Sequence, residues 1–296
     1  MELDGYIQLF FSGITLGSIY AMVALGFLLI YNSTGIINLA QGEFVMLGGM
    51  IACTCYNTFH LPLFITFIVS VLSVTIIGAL FELTCIHPLK NPSVLGVIMI
   101  TIAASILFRG IAMFVWGKEE HGIPPFSGEE PVEILGASVP PQVLWILGVI
   151  FIALILLFFM YKYTLIGKAM HAVAANRTAA QLAGINVRKI VLLSFAISAA
   201  LGAIAGILLT PMTLMSYDRG TPLALKGFAA TIAGGLGNPL GTVIAGFMLG
   251  LIESYGAGLL SSHYKDVFAL LIILLVLFIK PSGIFSKSDD AKLKKF

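Results

Sequence analysis

Charge is scarce in this chain. Only 10% of its 296 residues are Asp, Glu, Lys or Arg, and 59% are hydrophobic, whereas an ordinary soluble domain carries about 25% charged residues. A soluble globular fold is excluded on that ground. Cysteine is scarce too. Cys53, Cys55 and Cys85 are odd in number and lie in or near apolar runs, so no disulfide framework is expected. Cys53 and Cys55 have no His or further Cys beside them, so they read as small core hydrophobes and not as metal ligands.

The motifs of catalysis are missing. There is no G-x4-G-K-[ST] phosphate loop, so the chain cannot bind ATP by that route. No Gly-x-Ser-x-Gly elbow and no His-Glu-x2-His pair occur. Gly235, Leu236 and Gly237 resemble the start of a dinucleotide fingerprint, but position 240 is Leu and the segment before them reads as helix. His60, His87, His121, His171 and His263 are scattered, mostly in loops. No catalytic residue, metal, cofactor or nucleic-acid partner is expected. A signal peptide is not expected either, because the first apolar run follows Glu2 and Asp4 without a basic region before it.

What the chain has is long apolar runs. Runs of about eighteen apolar residues recur, as membrane-spanning helices require. They are uniformly apolar, not alternating, which argues against a β-barrel. The expected fold is an all-α polytopic membrane protein with about seven to nine transmembrane segments. Spans are expected over 6–30, 62–81, 94–115, 142–161, 190–212 and 267–279, with a shorter apolar segment ending near Tyr56. A polar stretch, Tyr31–Glu43, separates the first two segments, and Glu82–Ser93 reads as a loop. Near 223–258, the Gly/Pro break GGLGNPLG (234–241) lies between two short apolar helices, suggesting a broken-helix hairpin. Such backbone is tolerated at membrane depth only where protein buries it or it lines a wet cavity. No internal sequence repeat is apparent.

The charges that exist are unevenly placed. The segment 162–190 holds Lys162, Lys168, Arg177, Arg188 and Lys189 with no carboxylate, and it is Ala-rich enough to form a short surface helix. Positive segments between spans mark the cytoplasmic side. With that segment inside, Lys90 and the lysine-bearing tail are inside as well. Lys118, Arg219 and Lys265 fall outside, and Arg109 and Lys226 lie within or near spans. The N-terminus is then outside, the C-terminus cytoplasmic, and the acidic, proline-containing loop 116–141 extracytoplasmic. The whole chain, 1–296, reads as a single transmembrane domain.

Ionisable groups inside apolar segments are expensive and become functional candidates. Here they are Glu43, Arg109, Lys226 and Glu253, with Glu82 at a span end. Packing or snorkelling is the competing explanation for each. Asn38, Gln41 and Glu43 cluster in one broken element, Lys226 opens another and Asn238 lies in its break, so these five are the candidates for a translocation path.

Four blocks carry a resemblance to a known family. They are TLGSIYAMVALGFLLIYNSTGIINLAQGEFVMLGGM (15–50), TAAQLAGINVRKIVLLSFAISAALGAIAGIL (178–208), KGFAATIAGGLGNPLGTVIAGFMLGLIES (226–254) and YKDVFALLIILLVLFIKPSGIF (264–285). In this order they strongly resemble LivH-type permeases of branched-chain amino-acid ABC importers. The resemblance implies a permease subunit, not an enzyme, in the bacterial cytoplasmic (inner) membrane. Its expected cargo is leucine, isoleucine or valine, moved by alternating access.

It also implies partners: a second related permease subunit, two cytoplasmic ATP-binding subunits, a periplasmic or lipid-anchored substrate-binding protein, and membrane lipid. ABC permeases resemble one another in an EAA-x3-G coupling helix that docks into an ATPase. Thr178, Ala179, Ala180, Gly184 and Ile185 fit that spacing, with Thr where Glu often stands, and Arg188 is among the flanking cations that would anchor the helix to anionic headgroups. Relatives carry urea, amides or aromatic acids, so another small organic solute is the alternative cargo. An ion-coupled secondary transporter would need midplane carboxylates, and only Glu43 and Glu253 could serve. A membrane-embedded enzyme would need an acidic metal cluster or a nucleophile and base, and neither is visible.

Overall fold

The computed structural model describes residues 3–89, 93–128, 130–134 and 136–259, with positions 267, 271, 275, 276, 278–280 and 283–285. The described residues form ten α-helices and one small hairpin: α1 (Leu3–Thr34), α2 (Gln41–Cys53), α3 (Leu63–Phe81), α4 (Val94–Trp116), β1 (Val132–Ile134), β2 (Ala137–Val139), α5 (Pro141–Tyr163), α6 (Leu165–Ala175), α7 (Arg177–Leu182), α8 (Val187–Leu209), α9 (Gly220–Gly234) and α10 (Pro239–Leu259). Six of the helices are long and apolar enough to cross a membrane, namely α1, α3, α4, α5, α8 and α10. The chain is a multi-pass α-helical membrane protein. The expected span over 267–279 lies largely outside the described residues.

Side-chain caps set the helix starts. Ser93 Oγ accepts from the Gly96 N–H, Thr164 Oγ1 from Gly167, Asn176 Oδ1 from Ala179 and Asn186 Oδ1 from Lys189, each satisfying a donor the helix itself leaves free. Asn176 explains a departure from the expected single helix over 162–190. Its extended backbone (φ −158°, ψ 107°) ends α6 and caps α7, so the basic segment holds two short helices between the end of α5 and the start of α8. Glu82–Ile86 departs as well. These residues continue α3 as a π-turn instead of forming a loop.

α1 lies at the centre and is mostly buried, whereas α3, α4 and α5 expose most of their apolar surface. Glycines set the spacing. α10 lies against α1 where Gly246 and Gly250 meet the backbone of Ala21 and Gly17, the close approach that small residues allow in a membrane.

Packing shows a symmetry that the sequence hides. In one half a long helix (α1) is followed by a break, a short helix (α2) and a span (α3). In the other, α8 is followed by a break, the short α9 and the span α10. α1 packs on α9 and α10, α8 packs on α2 and α3, α1 crosses α8, and α2 meets α9. Exchanging the halves maps these pairings onto themselves, the pattern of an internal structural repeat. The helical pair near 223–258 is present with unequal arms. α10 has 21 residues, about 32 Å at 1.5 Å per residue, because Pro239 stands at its start, where proline is tolerated. The short counterpart of α9 is α2.

At one end of the bundle the β-hairpin packs its Ala137 and Val139 on Ile7 and Phe11 of α1. There His121 and Met215 exchange backbone hydrogen bonds of 2.8 and 2.7 Å, and Arg219 pairs with Glu120 at 2.7 Å. At the opposite end lie α6, α7 and the π-turn.

Candidate functional site

The N-termini of α2 and α9 abut inside the bundle. Gly42 and Gly220 touch backbone to backbone, and a Cβ on Gly42 would collide with the Gly220 carbonyl. Only glycine permits that approach. Glu43, 1% exposed, places its carboxylate at this junction. Its Oε1 accepts from Ser105 Oγ at 2.8 Å and lies 3.4 Å from Thr221 Oγ1 and 3.6 Å from Arg109 Nε. The N-terminus of α9 and the Arg109 guanidinium both lie beside it. Ser105 and Thr221 carried no signal in sequence beyond being hydroxyls near glycines or in a span.

Gln41 is buried one position before the junction. Its Nε2 donates to the Ser198 carbonyl at 3.1 Å, and its Oε1 is 2.6 Å from Ser198 Oγ. This pairing bolts the start of α2 to the middle of α8. Lys226 stands elsewhere, between α9 and α10, where its Nζ donates to Glu253 Oε1 at 2.8 Å and lies 5.5 Å from the Tyr20 ring centroid. Asn238 caps α10 through the Gly241 N–H and donates to the Phe285 carbonyl at 2.9 Å. The five path candidates therefore fall into two groups. Asn38, Gln41 and Glu43 run up one broken element, and Lys226 and Asn238 brace the other.

Asn38 opens onto a cavity of about 820 Å³ at the end of the bundle that carries α7. Glu82, Thr101, Arg177, Gln181 and Arg188 also line it. Glu82 read in sequence only as a charge at a span end. The π-turn rotates it inward, to 2% exposed, with its Oε1 3.6 Å from His87 Nδ1.

α7 forms the outer wall of this cavity. Thr178, Ala179 and Gly184 are exposed, and Ala180 is buried. The Ala180 carbonyl accepts from the Ile185 N–H at 3.0 Å, and Gly184 turns the chain at φ +84°, a left-handed cap. Leu182 is 86% exposed. Arg188, at the start of α8, lines the same cavity as Asn38, so the coupling and path candidates meet there. Among the described residues no three His, Cys, Asp or Glu side chains come together as a metal site.

Comparison with known proteins places this geometry. The family described as "Branched-chain amino acid transport system / permease component" matches residues 9–277. The chain is 31% identical to the high-affinity branched-chain amino acid transport system permease protein LivH of Salmonella typhimurium, over 97% of this chain and 98% of that one. It is 29% identical to the corresponding permease protein BraD of Pseudomonas aeruginosa, over 99% of each. It is also 28% identical to the ribose import permease protein RbsC of Haemophilus influenzae, over 87% of this chain and 80% of that one.

Proposed function

The chain belongs to the branched-chain amino acid transport permease family, and from that premise we propose that it forms the translocation path for leucine, isoleucine and valine in an ABC importer of the cytoplasmic (inner) membrane. A permease component works with other components of its importer. The finer assignments are these. Two ATP-binding subunits bind and hydrolyse ATP, a second related permease completes the path, and a substrate-binding protein delivers cargo. The end carrying α6 and α7 faces the cytoplasm, as the five cations of the carboxylate-free segment 162–190 favour. The 116–141 segment faces outward. Thr178, Ala179, Ala180, Gly184, Ile185 and Arg188 belong to the ATPase-docking element.

One observation carries this reading. The exposed α7 and the cavity share a wall, formed by Arg177 and Gln181. An ATPase that moves α7 therefore moves the lining of the cavity, and cargo and ATP bias the same two-state element. Asn38, Gln41 and Glu43 lie along the path from the cavity toward the α2–α9 junction. The lining is mixed, with Ile37, Val97 and Phe195 beside Asn38, Glu82, Arg177 and Arg188, so it offers apolar wall to an aliphatic side chain and polar groups to its charged head.

The complete importer reconstituted in liposomes tests this. Leucine-loaded binding protein should stimulate ATP hydrolysis and drive leucine inward. Leucine uptake by this chain alone, without ATPases, would establish ion-coupled transport instead. Similarity to a ribose import permease supports a second reading, in which the same machinery imports another small polar solute. Competition by urea, amides or ribose, with none by leucine, would select it.

A further inference from the structure

Two residues that line the α7-side cavity each bury a polar atom without a hydrogen bond, and the two atoms are of opposite kind. Asn38 is 1% exposed; its Oδ1 accepts from the Ala40 N–H at 3.1 Å, and its Nδ2 has no hydrogen-bond partner. Glu82 is 2% exposed; its Oε1 faces His87, and its Oε2 has no partner. A buried donor or acceptor left unmade is costly, more so when charged, and native structures keep few of them. The lining of one cavity thus includes a carboxylate and an amide, each with one idle, covered atom. Ile37, Val97 and Phe195 supply apolar wall beside them, and at about 820 Å³ the space can take a small solute.

We infer that this cavity is a binding station for the cargo's zwitterionic head on the ATPase side of the path. Glu82 turns to receive the α-ammonium, Asn38 turns its Nδ2 to donate to the α-carboxylate, and the aliphatic side chain lies against Ile37, Val97 and Phe195. The inference rests on the transport reading above and adds Glu82 to it. The station is connected to the interior. Thr101 lines the cavity, Ser105 one turn further along α4 bonds Glu43, and Arg109 follows a turn later. At i, i+4 and i+8 these three lie on one face of α4, a polar track from the cavity to the α2–α9 junction.

The test uses the complete importer in proteoliposomes with the α7 face toward the lumen. Leucine preloaded in the lumen should slow ATP-driven leucine uptake by the wild type. 4-Methyl-2-oxopentanoate, which lacks the ammonium, and isopentylamine, which lacks the carboxylate, should not. Glu82→Gln and Asn38→Ala should each raise the luminal leucine needed for half-inhibition by about tenfold or more, as loss of a charge-assisted hydrogen bond implies.

A labelling arm covers variants that fail to assemble. Ile37→Cys, in a chain carrying Cys85→Ser, should react with a polar maleimide more slowly when leucine is present, and at an unchanged rate with the oxo acid. Uptake with luminal inhibition unaltered in both variants overturns the station alone, as does equal inhibition by the oxo acid. So does a Glu82→Gln effect confined to ATPase affinity, which would mean that an ATPase side chain fills the cavity. No uptake of leucine, isoleucine or valine by the wild type overturns the transport reading and the station with it.

Discussion

Lys226 Nζ donates to Glu253 Oε1 across 2.8 Å, and both side chains are withdrawn from solvent between α9 and α10. In so apolar a chain this pair holds the short helix to its full-length neighbour. Removing one partner takes the counter-charge from a buried group and costs about 3–5 kcal/mol, whereas replacing both with apolar groups is often neutral. Lys226→Met should therefore lower the melting temperature of the purified complex markedly. Lys226→Met with Glu253→Leu should recover most of the loss and retain leucine uptake. Equal destabilisation by the single and double variants would refute the pairing.

Gly42 faces a different constraint. A Cβ there would meet the Gly220 carbonyl and come within 2.6 Å of the Ala224 methyl. Both helix N-termini would have to separate, at a cost of about 1–3 kcal/mol for overpacking. Gly42→Val should lower stability and also abolish uptake, because the Glu43 carboxylate sits at the same junction. Wild-type uptake by Gly42→Val would show that the junction does not line the path.

Glu43 and Arg109 should behave as one unit. Glu43→Gln removes the charge facing Arg109 Nε at 3.6 Å and weakens the acceptor for Ser105 Oγ, a loss of about 1.5–3 kcal/mol. Uptake should fall at least tenfold. Arg109→Gln in the same chain should restore part of the stability but not the uptake. Unchanged uptake and cargo affinity in Glu43→Gln would remove this residue from the path.

The docking element offers a cleaner separation of fold from function. Leu182 is 86% exposed and touches little of its own chain, so Leu182→Asp should leave melting temperature unchanged. Leucine-stimulated ATP hydrolysis should be lost nonetheless. Gly184→Trp should uncouple as well, with an added destabilisation of about 1–2 kcal/mol because φ is +84° there. Full stimulation in Leu182→Asp would move the docking site away from α7.

The solvent, the helical secondary structure and most of the spans follow from composition and local pattern alone. With so few charges, an aqueous fold was unavailable, and in a bilayer each apolar run must satisfy its own backbone as helix. The expected spans over 62–81, 94–115, 142–161 and 190–212 accordingly lie within a few residues of α3, α4, α5 and α8. Local punctuation was legible as well, since the break before α10 stands where Gly235–Asn238 placed it.

Which polar residues meet depends on how the helices pack. The partners of Glu43 lie 62 and 178 positions away, at Ser105 and Thr221, and nothing in local periodicity links them. The symmetry of the halves was equally hidden, because packing constrains size and shape at contacts while leaving the identity of apolar side chains largely free. Glu82 shows the same limit on a smaller scale. A loop was expected, and the π-turn that turns its carboxylate into the cavity depends on what α3 packs against.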